Sequence, residues 1–160
     1  MKEILRTEYF LEPGYIYVTL TPTIIQTVLG SSVAVCLFDS RLCCAGINHY
    51  MYSRIDNPEK ATVRYGNVAI PALLKVMIEA GSRIEDMEAQ IFGGACLENN
   101  PNENIGEKNI AIARYILEKM NVRIVSEDTG GTMGRKIVFD TTSGHIAVLK
   151  VRRLRHTDWH

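Results

Sequence analysis

Four β-rich segments follow one another in the first third of the chain, and they constrain the fold more than any other feature. Each is rich in Val, Ile, Tyr and Thr, which favour strands. The predicted strands are Tyr15 to Leu20, Ile24 to Leu29, Val33 to Phe38 and Cys44 to Met51. The pairs that separate or precede them favour turns: Pro13-Gly14, Thr21-Pro22, Gly30-Ser31 and Asp39-Ser40. A start made only of strands predicts a sheet packed beneath a second one.

Two segments with helical spacing follow, near Val68 to Ala80 and Asn104 to Met120. In the first, Pro71 is expected in the first turn and Gly81 just past the end. The remaining predicted strands are Ala89 to Phe92, Arg123 to Glu127, Lys136 to Asp140 and Ile146 to Val151. We therefore expect an α/β (α+β) fold, in which residues 1–160 form one domain. Its mixed sheets would be layered in a β-sandwich-like way, with two helices on an outer face.

Composition excludes several classes of protein. A net charge of zero at pH 7 argues against a nucleic-acid binder. The basic cluster from Lys150 to His156 is interpreted as a solvated tail or, alternatively, as a docking patch for an acidic partner. We expect no signal peptide and no membrane insertion, because no apolar run approaches the roughly 18 residues of a span. We therefore expect a cytoplasmic protein. The 4 cysteines form no Cys-x-x-Cys pair, so we expect no metal site and no cofactor.

Glycine-bearing loops are the candidate pocket residues. Gly93-Gly94 and Gly130-Gly131 each follow a predicted strand, and Gly30-Ser31 precedes one. These pairs serve either as tight turns that need positive φ, or as backbone lining a pocket where a side chain is excluded. The residues alone favour turns. None has the spacing of a phosphate-binding loop, so nucleotide binding has little support.

Ser32 and His49 are a candidate nucleophile and base. A short turn between their strands predicts an antiparallel hairpin with its midpoint near residue 40 or 41. Ser32 would then face residues 48 to 50, with Ser32 Oγ within about 4 Å of a His49 ring nitrogen. A hydroxyl beside an imidazole is the pairing that covalent catalysis requires. A turn-forming serine and a structural histidine remain the alternative.

Several motifs along residues 12 to 151 resemble a known family. Leu29 to Leu37 is similar to the signature Leu-Gly-Ser-Cys-Val-Ala-Val-Cys-Leu of the chemoreceptor glutamine deamidases of bacterial and archaeal chemotaxis, the CheD family. His49 falls at that family's histidine. Further matches in the family's order are Arg64 to Ile70, Ile91 to Ala95, Asn104 to Asn109, Glu127 to Gly131, Arg135 to Asp140 and Thr142 to Gly144.

The resemblance implies a thiol hydrolase that converts receptor glutamine side chains to glutamate and releases ammonia. It implies Ser32 at the nucleophile position, His49 as base, and an upstream threonine that assists the histidine. Thr27 is the candidate for that threonine, and Gln26 competes with it. The implied partners are the cytoplasmic domains of methyl-accepting chemotaxis proteins and a chemotaxis phosphatase, CheC. Binding and regulating CheC without catalysis is the alternative function.

The chain departs from the family at its most important position, because Ser32 stands where the family has cysteine. A thiol, with a pKa of about 8.5, is partly ionised near neutrality, whereas a serine hydroxyl is not. Cys36 lies about 13 Å along the strand and cannot substitute for it. Three explanations remain, in this order: a cysteine-to-serine substitution made to trap an inactive enzyme, a natural non-catalytic relative, and a working serine enzyme.

Overall fold

The computed structural model describes residues 5–96 and 104–152. There, nine strands form two mixed sheets, and two helices accompany them. The strands are β1 Thr7–Phe10, β2 Ile16–Thr19, β3 Thr23–Leu29, β4 Val33–Asp39, β5 Cys44–Asn48, β6 Glu88–Gly93, β7 Arg123–Thr129, β8 Gly134–Asp140 and β9 Ile146–Val151. The helices are α1 Gly66–Glu79 and α2 Ile105–Lys119, with single 3₁₀ turns at Pro58–Lys60 and Ile84–Asp86.

The two sheets differ in which strands they use. One has the order β1-β3-β8-β9 and the other the order β2-β5-β4-β6-β7. Each combines antiparallel pairs with one parallel pair, β1 with β3 in the first and β6 with β7 in the second. Strands β3 and β4 are consecutive but belong to different sheets, so the Gly30 to Ser32 turn carries the chain from one layer to the other.

Strand β4 is the centre of the packing, and all seven of its residues are buried. Val33, Val35 and Leu37 pack in the core that includes α1 and α2. Ala34, Cys36 and Phe38 point the other way, into the core between the two sheets. This alternation follows from the two-residue period of a strand. The order of layers is therefore sheet, sheet and helices, and the predicted layered fold with helices on an outer face is confirmed.

Three local features differ from the predictions. Strand β1 was not predicted, because it is only four residues long, contains Glu8, and is largely exposed along an edge of the sheet. Helix α1 begins at Gly66, so Pro71 lies inside the helix and not in its first turn. Strand β5 ends at Asn48, and beyond it Tyr50 only bridges Val33. Gly81 does follow α1 as predicted, with a φ of 106°.

Two expectations concern the surface of the protein. Neither helix in residues 5–96 and 104–152 is long and apolar enough to cross a membrane. Of the basic cluster, Lys150 and Arg152 belong to the described residues, and the remainder lies outside them.

Candidate active site

Ser32 and His49 lie next to each other where the two sheets meet. Ser32 Oγ is 2.8 Å from His49 Nε2. The predicted register was wrong: Asp39 pairs with Cys44, which puts the hairpin midpoint between residues 41 and 42. His49 therefore stands across from Ala34, and Ser32 is its diagonal neighbour on the same face. Because that face contributes Ala34 to the core between the sheets, the pair can be reached by side chains of the other sheet.

Thr27, on β3 of the other sheet, fixes the orientation of the imidazole. Its Oγ1 lies 2.7 Å from the carbonyl oxygen of Leu11 and 2.8 Å from His49 Nδ1. A carbonyl oxygen cannot donate, so the threonine hydroxyl must donate to Leu11. Thr27 Oγ1 then accepts from His49 Nδ1–H, and this assigns the tautomer in which Nε2 has a free lone pair facing Ser32. Gln26, the competing residue, points to the opposite face of β3 because side chains alternate.

His49 is nearly sealed from water, with 1% of its surface exposed. Its backbone N–H donates to Tyr15 and its carbonyl accepts from Gly14, at 3.2 and 2.8 Å. Burial disfavours the charged ring and lowers the pKa of His49 to about 4. The ring is therefore neutral near pH 7, as its role as an acceptor from Ser32 requires.

Asn109, on the buried face of α2, holds the chain on both sides of the Ser32–His49 pair. Its Nδ2 donates to the carbonyl oxygens of Ser31 and Met51, at 2.9 and 3.0 Å. Sequence reasoning did not single out this residue. The available signal was a helix-disfavouring amide directly before Ile110, the first residue of the apolar stripe. Such a residue on a buried face needs hydrogen-bond partners, and here they are the backbone beside the candidate nucleophile.

The glycine loops come together beside Ser32. Gly94 N–H donates to the carbonyl oxygen of Ser32 at 2.9 Å, and Gly130 N–H donates to that of Gly93 at 2.9 Å. Gly93 has a φ of 106°, and a Cβ added there would collide with the carbonyl oxygen of Ser32. Gly130 and Gly131 also have positive φ, but no atom of the described residues lies within 4 Å of a Cβ added at either. Glycine at position 93 thus allows a close approach of two backbone segments, whereas at positions 130 and 131 it allows a positive φ.

The first loop completes this set of contacts. The carbonyl oxygen of Gly30 accepts a hydrogen bond from Ala95 N–H at 3.0 Å, and that of Ser31 accepts one from Asn109. The six glycine and serine residues predicted to line a pocket therefore lie at one end of β4, β6 and β7. Their contact with substrate remains a prediction.

Arg135 on β8 is the second residue that sequence reasoning missed as part of the site. Its side chain is only 3% exposed, and its Nε lies 3.0 Å from Asp128 Oδ1. Its two terminal nitrogens donate to the carbonyl oxygens of Gly93, Met133 and Gly130, at 3.3, 3.4 and 2.9 Å. One guanidinium therefore contacts both of the Gly-Gly loops.

The cysteines are all free thiols. Cys36 is packed between the sheets, and burial raises the pKa of its thiol, which disfavours the reactive thiolate. Cys43 is exposed and Cys44 is buried. Among the described residues, no three His, Cys, Asp or Glu side chains are grouped so that they could hold a metal ion.

Comparison with known proteins identifies the family. The family model described as CheD chemotactic sensory transduction matches residues 52–150. A "Probable chemoreceptor glutamine deamidase CheD" of Sulfurimonas denitrificans is 42% identical over 147 residues, which cover 90% of this chain and 94% of that one. The chain belongs to the CheD family. A protein of the same name from Trichlorobacter lovleyi is 41% identical over 139 residues, 86% of each chain.

One solved structure is a more distant match to this CheD-family member. A Neisseria meningitidis protein of the DUF152 family has a TM-score of 0.42 and 15% identity, covering 72% of this chain and 53% of its own. Within the chain itself, the stretch matched by the CheD family model contains the Gly-Gly loops and Arg135 but begins after His49.

The site of this CheD-family member has the parts that acyl transfer requires. Residue 32 presents a nucleophile-type atom, His49 Nε2 faces it as a proton acceptor, and Thr27 orients the ring. This order of nucleophile, base and orienting group is the general arrangement of nucleophilic hydrolases. Serine fits this general arrangement, and it departs only from the resembled signature, which has cysteine at this position.

Proposed function

We propose that this chain has the site of a protein-glutamine deamidase, an amidohydrolase that acts on the cytoplasmic domains of chemoreceptors. The observation that carries the proposal is the hydrogen-bonded line from Thr27 through His49 to Ser32. Its relatives are named for the same chemistry. Substrates of this kind would be met in the cytoplasm.

The chemistry follows from the positions of the protons. With cysteine at position 32, the thiol proton passes to His49 Nε2 while sulfur attacks the carboxamide carbon of the glutamine side chain. His49 returns the proton to the departing nitrogen, and ammonia leaves. Water, deprotonated by His49, then attacks the thioester carbon; the C–S bond breaks, His49 returns the proton to sulfur, and glutamate leaves. Backbone N–H groups beside residue 32 would stabilise the oxyanion in both steps.

Serine at position 32 makes this site inactive in the chain as it stands. A thiol, with a pKa of about 8.5, is partly ionised near neutrality, whereas a serine hydroxyl is not and depends wholly on its base. The shorter C–O bond would also hold the oxygen back from the position that sulfur occupies, and small misplacements of a nucleophile slow the chemical step.

A second candidate function is a binding role without catalysis, as a regulator of the phosphatase CheC. The observation that favours it is a site whose scaffold is intact while the nucleophile position holds serine. This alternative needs the surface of the fold but no turnover.

The deciding experiment compares the chain with its Ser32→Cys variant on a chemoreceptor cytoplasmic fragment. We expect ammonia release from the variant, with mass spectrometry locating glutamine-to-glutamate changes, and none from the serine chain. Adding His49→Ala to the variant should lower the rate by at least about 10²–10⁴-fold. Cys43→Ser, at an exposed thiol, is the matched control and should leave the rate unchanged.

The opposite result is also informative. If the Ser32→Cys protein is folded and binds the receptor fragment yet releases no ammonia, the enzyme proposal fails. Binding to CheC, measured with the same proteins, would then support the regulatory role.

A further inference from the structure

Arg135 joins three chain segments that the candidate site depends on. Its backbone pairs with Leu29, the residue directly before the Gly30 to Ser32 turn. Its guanidinium donates to the carbonyl oxygens of Gly93 and Gly130, which begin the two Gly-Gly loops. These loops follow β6 and β7, which belong to the other sheet. The residue therefore connects the sheet that supplies Thr27 to the sheet that supplies His49.

The connection continues to residue 32. Gly93 and Gly130 are tied to each other by a backbone hydrogen bond of 2.9 Å, and Gly94 N–H holds the carbonyl oxygen of Ser32 at 2.9 Å. A shift of the Gly93 backbone would therefore move the group that fixes the main chain of Ser32. Gly93 also lies too close to that carbonyl for any side chain, so the contact has little freedom to readjust.

The geometry of the contacts requires a guanidinium specifically. The three nitrogens of the planar guanidinium donate four hydrogen bonds. Their acceptors are Asp128, Gly93, Met133 and Gly130. Arginine has five N–H donors in a fixed fork, whereas the ammonium of lysine is a point charge on a flexible stem. Lysine could neutralise Asp128, but it could not span two loops in this way.

We infer that Arg135 is a positioning residue for the nucleophile, and that it acts through its fork geometry and not through its charge. It holds the Gly93-Gly94 and Gly130-Gly131 loops against each other, and so fixes the main chain at residue 32 relative to His49. This role rests on the proposed deamidase function for its effect on rate, but its effect on the loops does not.

The test uses Arg135→Lys and Arg135→Met, each in the Ser32→Cys protein and in the serine chain. In the Ser32→Cys protein, we expect both to lower kcat by about tenfold or more with KM changed by less than about threefold, because a misplaced nucleophile slows the chemical step. Arg123, whose Nη2 contacts Glu88 Oε1 at the other end of β7, is the control. Arg123→Lys and Arg123→Met should leave kcat unchanged.

Amide hydrogen exchange in the serine chain supplies a readout that does not need activity. Arg135→Lys should speed exchange at Gly94 and Gly130 at least about tenfold while core amides of α1 and β4 keep their protection. A merely stabilising residue would instead change all of them together, through global unfolding. Full kcat in Arg135→Lys, or unchanged exchange at Gly94, would overturn the inference. An inactive Ser32→Cys parent would count against the deamidase, and the exchange data alone would then decide the role of Arg135.

Discussion

The hydroxyl of Thr27 and the imidazole of His49 come from different sheets, yet their Oγ1 and Nδ1 atoms are 2.8 Å apart. Packing of one sheet on the other is therefore what orients the candidate base. Because Thr27 must donate to Leu11, the direction of every proton along this line is set before substrate arrives. The tautomer and orientation of His49 are therefore set by the fold and not by which nucleophile occupies position 32.

Thr27→Val should change the tautomer of His49. Valine keeps the shape of threonine but cannot accept the Nδ1–H hydrogen bond, so the ring loses its preference for a proton on Nδ1. The ¹⁵N chemical shifts of His49, measured in the serine chain, should report protonated Nδ1 in the parent and a mixture in the variant. In the Ser32→Cys protein, the rate should fall by up to about a hundredfold.

Thr27→Ser is the matched control, since it keeps the hydroxyl and loses only a methyl group. It should preserve both the ¹⁵N signature and most of the rate. Identical ¹⁵N shifts in the parent and in Thr27→Val would contradict the assigned tautomer.

The buried His49 should make stability depend on pH. Its pKa is about 4 in the folded chain and about 6.5 when unfolded, so the unfolded state binds more protons between these values. The stabilisation is fully present above pH 6.5 and is lost as pH falls toward 4. From pH 7.5 to 4.5 we expect the free energy of unfolding to fall by about 2–3 kcal/mol from this residue.

Urea denaturation at several pH values would measure this dependence. His49→Gln, which has no titrating ring at this buried position, should flatten it. Equal pH slopes for the parent and for His49→Gln would contradict the lowered pKa.

Gly93→Ala and Gly130→Ala should differ in cost although both replace a glycine with positive φ. Each pays the strain of that backbone conformation, about 1–2 kcal/mol. Only at Gly93 does the new Cβ also collide with the carbonyl oxygen of Ser32, which adds about 1–3 kcal/mol. Thermal unfolding should therefore show Gly93→Ala as the less stable of the two, and equal stabilities would argue against the close approach.

The elements of the fold were predictable because each carries its own local pattern. Strand β4 is an apolar run from Val33 to Phe38, and α1 and α2 show apolar stripes at helical spacing. Strand β1 has neither signal, since its four residues are too few to show a pattern and it is stabilised by pairing with β3 along an edge. Its existence depends on a partner distant in sequence, which local propensity does not report.

The candidate site was predictable only in part, for a similar reason. The hairpin brings Ser32 near His49 even when its midpoint is misjudged by about one residue, because a diagonal neighbour remains within side-chain reach. The partners of residues supplied by other layers cannot be read from local sequence. Arg135 and Asn109 act through backbone carbonyl oxygens of distant loops, so neither their partners nor their roles can be read from spacing along the chain.

Substrate binding should survive in the serine chain even though turnover does not. Serine and cysteine differ by one atom, and the loops and Asn109 hold the backbone around residue 32. Covalent attack contributes to the transition state and not to the ground-state complex, so the nucleophile affects rate far more than affinity.

Isothermal titration calorimetry with a chemoreceptor cytoplasmic fragment should give Kd values within about threefold for the serine chain and its Ser32→Ala variant. Both should match the Kd of Ser32→Cys carrying His49→Ala, whose slowed turnover should leave the fragment largely unchanged during the titration. Ammonia release should nonetheless separate the two proteins, with release from Ser32→Cys and none from the serine chain. If the serine chain fails to bind the fragment while a protein with cysteine at position 32 binds it, residue 32 is part of the recognition surface, and the separation of binding from turnover is wrong.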